Sequence, residues 1–158
     1  MKHLFLLFFI SLSACAKVSY PKRFVDPQLL PYVEAWENIT GKRVNFRVTI
    51  NNTPRVQIGL CHIANQYDWE RLKEVQIAYS IEIQMAYFDK LSNELKQLAL
   101  EQVINHELEH CVKKRTQHTD LVLTDGCPAS IMYPYGFGHT DCYLKHRTYY
   151  WNEVRDVN

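Results

Sequence analysis

LEQVINHELEHCVKKRTQHTD, residues 100–120, is the stretch around which the rest of the chain is read. Within it His106, Glu107 and His110 form the pattern HExxH. On an α-helix, residues four apart stand one above the other on one face, so this spacing lets both imidazoles aim at a single point. Two neutral imidazoles on one rigid element suit a zinc ion, and the carboxylate of Glu107 is then placed to accept a proton from a water activated by the metal. The helix is legible upstream of the motif. Ser92 is an N-cap by residue type, and Leu95, Leu98, Ala99, Val103, His106 and His110 follow a three-and-four spacing. Catalytic zinc sites usually take three protein ligands. His118 is the leading candidate for the third, with Asp120 and His139 as alternatives of acceptable ligand type. The competing reading is a pair of core or surface histidines with no metal.

Downstream comes Ser130-Ile131-Met132-Tyr133-Pro134. HExxH followed by such a segment resembles the metzincin metallopeptidases, with wording closest to the matrixin-like branch. The likeness covers residues 100–135 by motif and the remainder only by order of elements. It implies a single α+β domain: a twisted mixed sheet packed on an N-terminal helix and an active-site helix, a Met-turn at Met132 and a C-terminal helix. It also implies Glu107 as general base and zinc as the cofactor. The family pattern is HExxHxxGxxH, and this chain departs from it with Lys113 at the glycine and Thr116 at the third histidine. Thr116 is a poor zinc ligand. His118-Thr119-Asp120 is similar to the wording around the matrixin third ligand, which implies a two-residue insertion before it. Without the glycine, Lys113-Lys114-Arg115 is expected to prolong the helix by part of a turn, its cations suited to the C-terminal end. Tyr133 and Tyr135 are candidates for stabilising a tetrahedral intermediate, against aromatic packing as the default. Glu109 lies two residues from Glu107, roughly on the opposite side of the helix, and reads as solvated surface.

The chain opens with a short positive head, Met1-Lys2-His3, and an apolar run, Leu4 to Leu12, too short to span a bilayer as a helix. This is a secretory signal pattern. Leu12-Ser13-Ala14-Cys15 resembles the bacterial lipobox, in which the cysteine is lipidated and becomes the new N-terminus; an ordinary small-residue cleavage site is the alternative. The expected organisation is a signal peptide over 1–14, a tether over 15–25 and one domain over 26–158, with Cys15 lipidated and Ala16 favouring the outer membrane. Lysine and arginine total 18 against 17 acids, so the charge does not point to nucleic acid. A monomer is expected, and the length suits one domain with its own core.

Four further cysteines remain in an export context that permits disulfides: Cys61, Cys111, Cys127 and Cys142. Three pairings are open, and some thiols could stay free. The preferred pairing is Cys127 with Cys142, bracketing the Met-turn, and Cys61 with Cys111, tying a strand to the active helix. Cys111 as a zinc ligand is a rival idea, discounted because it points about 100° round the helix from His110.

Asp26-Pro27 reads as a helix start, and Leu29, Leu30, Val33, Trp36 and Ile39 form a face ending near Gly41. Residues 44–50 alternate as a half-buried strand, Asn51 to Pro54 turn, and Val56, Ile58 and Leu60 form a second strand that Gly59 interrupts with a bulge. Trp69 to Lys73 is expected to be a short helix, and Val75 to Ser80 and Ile81 to Phe88 two strands, one of them a sheet edge beside the cleft. Asp125-Gly126 is a turn by composition. Asp141 is expected to cap one last helix, Cys142 to Val154. The functional expectation is a lipid-anchored zinc metalloendopeptidase of a bacterial envelope acting on peptide or protein substrates. The alternatives are a metzincin-shaped binding module without turnover and a structural lipoprotein without zinc.

Overall fold

Four strands form one mixed sheet in the order β1-β2-β4-β3, where β1 is Phe24–Val25, β2 Arg47–Ile50, β3 Gly59–Asp68 and β4 Lys73–Ile83. The computed structural model describes residues 22–53, 56–68, 70–134 and 140–156. The expected signal peptide, Cys15, most of the expected tether, Tyr135 and His139 lie outside the described residues. β1 runs parallel to β2 and β2 parallel to β4, whereas β3 returns antiparallel along β4. Alternation makes the sheet two-faced. Val48, Ile81 and Ile83 are fully buried on one side, while Arg47, Ser80 and Glu82 occupy the other parity.

The helices cover the apolar face. α1 (Leu30–Thr40) buries Val33 and Trp36 and stops at Gly41, whose φ of 68° is the left-handed conformation glycine adopts freely. α2 (Met85–Phe88) is a single turn. α3 (Asn93–Cys111) starts at Ser92, whose hydroxyl accepts the Leu95 N–H at 3.4 Å. α4 (Thr140–Lys145) and α5 (Arg147–Asp156) close the chain. Ala99, Leu100, Val103, Ile104 and Leu108 of α3 share one core with α1, the sheet and Tyr143, Tyr150 and Val154. The result is a small α+β domain with five helices among the described residues. Among them no helix is long and apolar enough to cross a membrane.

Several local expectations are corrected. α1 begins at Leu30, because Asp26 makes a turn instead: its side chain accepts from Gln28 N–H at 3.0 Å and its carbonyl from Leu29 and Leu30. Among the described residues no helix follows Asp68, whose carboxylate accepts from the N–H groups of Glu70 and Arg71 and so closes a hairpin into β4. Val75 to Phe88 is one strand and one helical turn. Pairing ends at Ile83, and Met85 and Phe88, three apart, then both reach the core. β4 is interior to the sheet, and the edge beside the cleft is β3. The bulge lies at His62/Ile63, not at Gly59. The last helix is broken at His146, and Leu95, 37% exposed, stands outside the core.

Both preferred disulfides are present, Cys61–Cys111 and Cys127–Cys142. The first closes a separation of 50 residues and the second 15, so chain entropy assigns them about 4 and about 3 kcal/mol respectively. Their placement matters as much. Cys61 locks the edge strand to the last turn of α3, one residue beyond His110.

Candidate metal centre

α3 presents His106 and His110 one turn apart, and the chain then folds back to deliver a third imidazole. The helix ends at Cys111, with the Val112 N–H bonded to the Leu108 carbonyl at 2.8 Å. Lys113 and Arg115 do not prolong it. Instead Lys114 takes a left-handed φ of 58° and reverses the chain. Thr116 follows along the cleft, and His118 arrives opposite the helix. The Nε2 atoms of the three histidines form a near-equilateral triangle: 3.1 Å from His106 to His110, 3.0 Å from His110 to His118 and 3.3 Å from His118 to His106. Three nitrogens at tetrahedral angles around zinc, each at roughly 2.0–2.1 Å, would stand about 3.3 Å apart. The triangle fits a first-row cation without rearrangement.

Hydrogen bonding behind the rings argues for the same occupant. His106 Nδ1 meets the Ile131 carbonyl at 2.8 Å, and His110 Nδ1 meets the Arg115 carbonyl. A carbonyl only accepts, so each Nδ1 carries the proton and each neutral ring turns the bare lone pair of Nε2 inward. Burial, with the neighbouring histidines, pushes the His106 pKa down to about 4, against the opposing effect of its bond to Ile131. His110 is likewise lowered, chiefly by burial. At neutral pH two lone pairs thus face each other at 3.1 Å, a repulsive arrangement that a cation relieves. His106, His110 and His118 are a cluster that could bind a metal ion. Asp120 is exposed and outside it, and His139 is outside the described residues.

Glu107 opens onto the same cleft, a space of about 570 Å³ walled by residues 56–61 and Ile63 on one side and by the histidines, Thr116 and Pro134 on the other. The residue is only 5% exposed, and burial pushes its pKa up to about 7, tempered by a hydrogen bond from the Cys61 backbone N–H. Gly59 makes this placement feasible. A Cβ there would stand 2.6 Å from Glu107 Oε1 and 2.8 Å from its Cγ, closer than real contacts allow. The start of β3 therefore holds Glu107 twice, by an absent side chain at Gly59 and by a donor at Cys61.

The turn at Ser130 to Met132 supports two of the three histidine positions. Ile131 supplies the carbonyl for His106, and the Met132 carbonyl accepts the Thr119 N–H at 3.2 Å, fixing the residue next to His118. The Met132 side chain is fully buried, and Tyr133 is half-buried. Glu109 corrects the expectation of a solvated surface residue: it is fully buried and pairs with Arg115 at 3.0 Å and Lys113 at 3.3 Å. Lys113 thus turns inward where the metzincin pattern has glycine. Sequence reasoning also missed Gly59, Arg115 and Glu153 as parts of the site, since nothing in their local sequence announces partners so distant along the chain. A second grouping, Asp125, Cys127 and His146, has no comparable capacity: the Cys127 sulfur is in a disulfide, and Asp125 Oδ2 already accepts from Lys145 at 2.6 Å and His146 at 2.7 Å. Comparison of this chain with family models, with curated proteins and with solved structures finds no match, so the chemistry of the cleft has to be argued from its own residues.

Proposed function

We propose that this chain is a zinc-dependent metalloendopeptidase of metzincin type, secreted and lipidated at Cys15 in a bacterial envelope. The observation that supports it most is the convergence of three imidazole Nε2 atoms, 3.0–3.3 Å apart, beside a buried carboxyl on one open cleft. His106, His110 and His118 would hold the metal. When bound, zinc supplies a Lewis acid that polarises a carbonyl and lowers the pKa of water to near 7.

The chain's own part is proton transfer and positioning. Glu107 accepts a proton from the attacking water at its carboxylate and hands it to the departing amine, and a pKa near neutrality suits both halves of that task. The Cys61 N–H and the bare Gly59 keep the carboxylate aimed while it does so. Among the described residues β3 is the edge strand of the sheet, with β4 as its neighbour, and an extended peptide added along its outer side would be held by main-chain hydrogen bonds. Residues 56–60 would then border the cut bond.

The test is direct. Purified protein never exposed to chelator is expected to carry close to one equivalent of zinc and to cleave an unstructured protein, and Glu107→Ala is expected to keep the zinc and lose cleavage. Equal cleavage by both proteins would remove Glu107 from the chemistry. Bound zinc with no cleavage by the wild type would instead favour a binding module. Mass spectrometry of the mature N-terminus checks the lipid at Cys15.

A further inference from the structure

We propose that Glu153, on α5, is a positioning residue for the metal centre, holding in place the two backbone carbonyls that orient His106 and His110. The inference rests on the reading of those histidines as metal ligands and extends it to a helix that contributes no ligand. The connections are short. Glu153 Oε2 accepts the Ile131 N–H at 2.8 Å, and the carbonyl of that same residue accepts from His106 Nδ1. Glu153 Oε1 accepts from the Arg115 guanidinium at 2.8 Å, and the carbonyl of Arg115 accepts from His110 Nδ1. Oε1 also accepts from Ser130 Oγ at 2.5 Å, and that oxygen accepts the Met132 N–H at 3.0 Å. Met132 in turn receives Thr119 beside His118. All three imidazoles therefore trace back to one carboxylate.

Geometry explains why one residue is needed. Residues 115 and 131 lie on separate irregular segments outside any helix or sheet ladder; the Arg115 N–H reaches the Glu109 carbonyl of α3 at 3.1 Å, and Glu153 fixes its side chain from the other direction. A carboxylate offers acceptors in both directions and so can bind two donors from opposite sides. Arg115 is stretched between Glu153 and Glu109, whose Oε2 lies 3.0 Å from the other arm of the guanidinium, so its main chain has little freedom. Partners that fix ring orientation in this manner typically change metal affinity by roughly 10–100-fold when removed. Glu153→Gln keeps the shape but turns an NH₂ toward a donor on one side or the other.

The control is Glu101→Gln. Glu101 is buried on α3 and, like Glu153, takes part in the contact with α5, accepting from Arg147 at 2.7 Å and Trp151 at 2.9 Å, but it touches neither orienting carbonyl. Zinc affinity is measured in the full mature chain by competition with a chromophoric chelator, and ring tautomers are read in the metal-free protein from imidazole nitrogen NMR shifts. The expectation is a roughly 10–100-fold weaker zinc affinity in Glu153→Gln, no more than about a twofold change in Glu101→Gln, and a mixed tautomer population for His106 and His110 in the first variant only. Zinc affinity in Glu153→Gln within about twofold of wild type, or an equal loss in both variants, overturns the proposal. If the wild type binds no zinc, the metal reading fails on its own, and the tautomers decide the positioning claim: mixed in Glu153→Gln supports it, unchanged sinks it.

Discussion

Two sets of carboxylates are buried on the same helix, and they are treated in opposite ways. On the side of α3 that meets the C-terminal helices, Glu101 accepts from Tyr143 at 2.9 Å, from two nitrogens of Arg147 at 2.7 Å and from Trp151 at 2.9 Å. Glu109 has Arg115 and Lys113. On the cleft side, Glu107 has the Cys61 N–H and no cationic partner among the described residues. Desolvation raises both Glu107 and Glu109, opposed at Glu109 by the cations Arg115 and Lys113, whereas Glu107 has no such cation among the described residues and is pushed up to about 7. A buried acid that is matched by cations is a fastener. One left unmatched beside a cleft costs stability and keeps its proton exchangeable, which is the arrangement proton transfer requires.

Variants on the two sides should therefore fail differently. The largest effect is expected from Glu107→Ala: cleavage of an unstructured protein should fall by roughly 10²–10⁴-fold, with zinc content unchanged. Loss of zinc alongside activity would show that Glu107 helps to build the site instead. Next comes the pH dependence of the metal-free fold. Glu107 titrates higher folded than unfolded, so its neutral form is favoured and stability is lost as pH rises from the ordinary carboxyl range through about 7. Glu107→Gln removes that loss. Urea unfolding should show the variant gaining about 2 to 3 kcal/mol on the wild type between roughly pH 5 and pH 8, following the size of the shift. A constant difference across that range would mean that Glu107 is compensated after all.

The fastener side should show the reverse signature. Glu101→Ala strands the hydroxyl of Tyr143, the indole N–H of Trp151 and the half-exposed Arg147, and should lower unfolding free energy by about 2 kcal/mol. Zinc affinity should stay within about twofold of wild type, because none of the ring-orienting carbonyls is involved. The smallest effect is expected at the cradle of the proposed base. Gly59→Ala forces a methyl against Glu107 and Val103, costing about 1 to 2 kcal/mol in overpacking. It should lower kcat by about tenfold through misplacement of the carboxylate, with zinc retained. Unchanged kcat in Gly59→Ala would show that the proposed base, Glu107, is not held from β3.

Local rules made much of this legible beforehand. The HExxH spacing, the Ser92 cap, the Gly41 stop and the Asp125-Gly126 turn are short-range features, set by helix period, capping oxygens and left-handed backbone at glycine. Where the reading of 65–91 failed, competition between elements decided. A run of apolar residues does not state whether it will lie between two strands or end one, and β4 is long because β2 and β3 pair with it on both sides. Glu109 was misjudged for a related reason. Angle around the helix axis separates it from Glu107, but burial of the far side depends on α5 and on Lys113 and Arg115 folding back.

By itself, the order of residues determined that one helix carries two imidazoles and an acid at fixed angles, because a helix converts spacing into direction with no help from the rest of the chain. It also narrowed the third donor to a few side chains and the disulfides to three pairings. Tertiary structure alone decided that His118 closes the triangle, that Cys61 pairs with Cys111, and that Gly59 and Cys61 seat Glu107. Each of those is a distance between segments far apart in the chain. Such distances are set by how the sheet, α3 and α5 pack around their common core, and no local pattern encodes them.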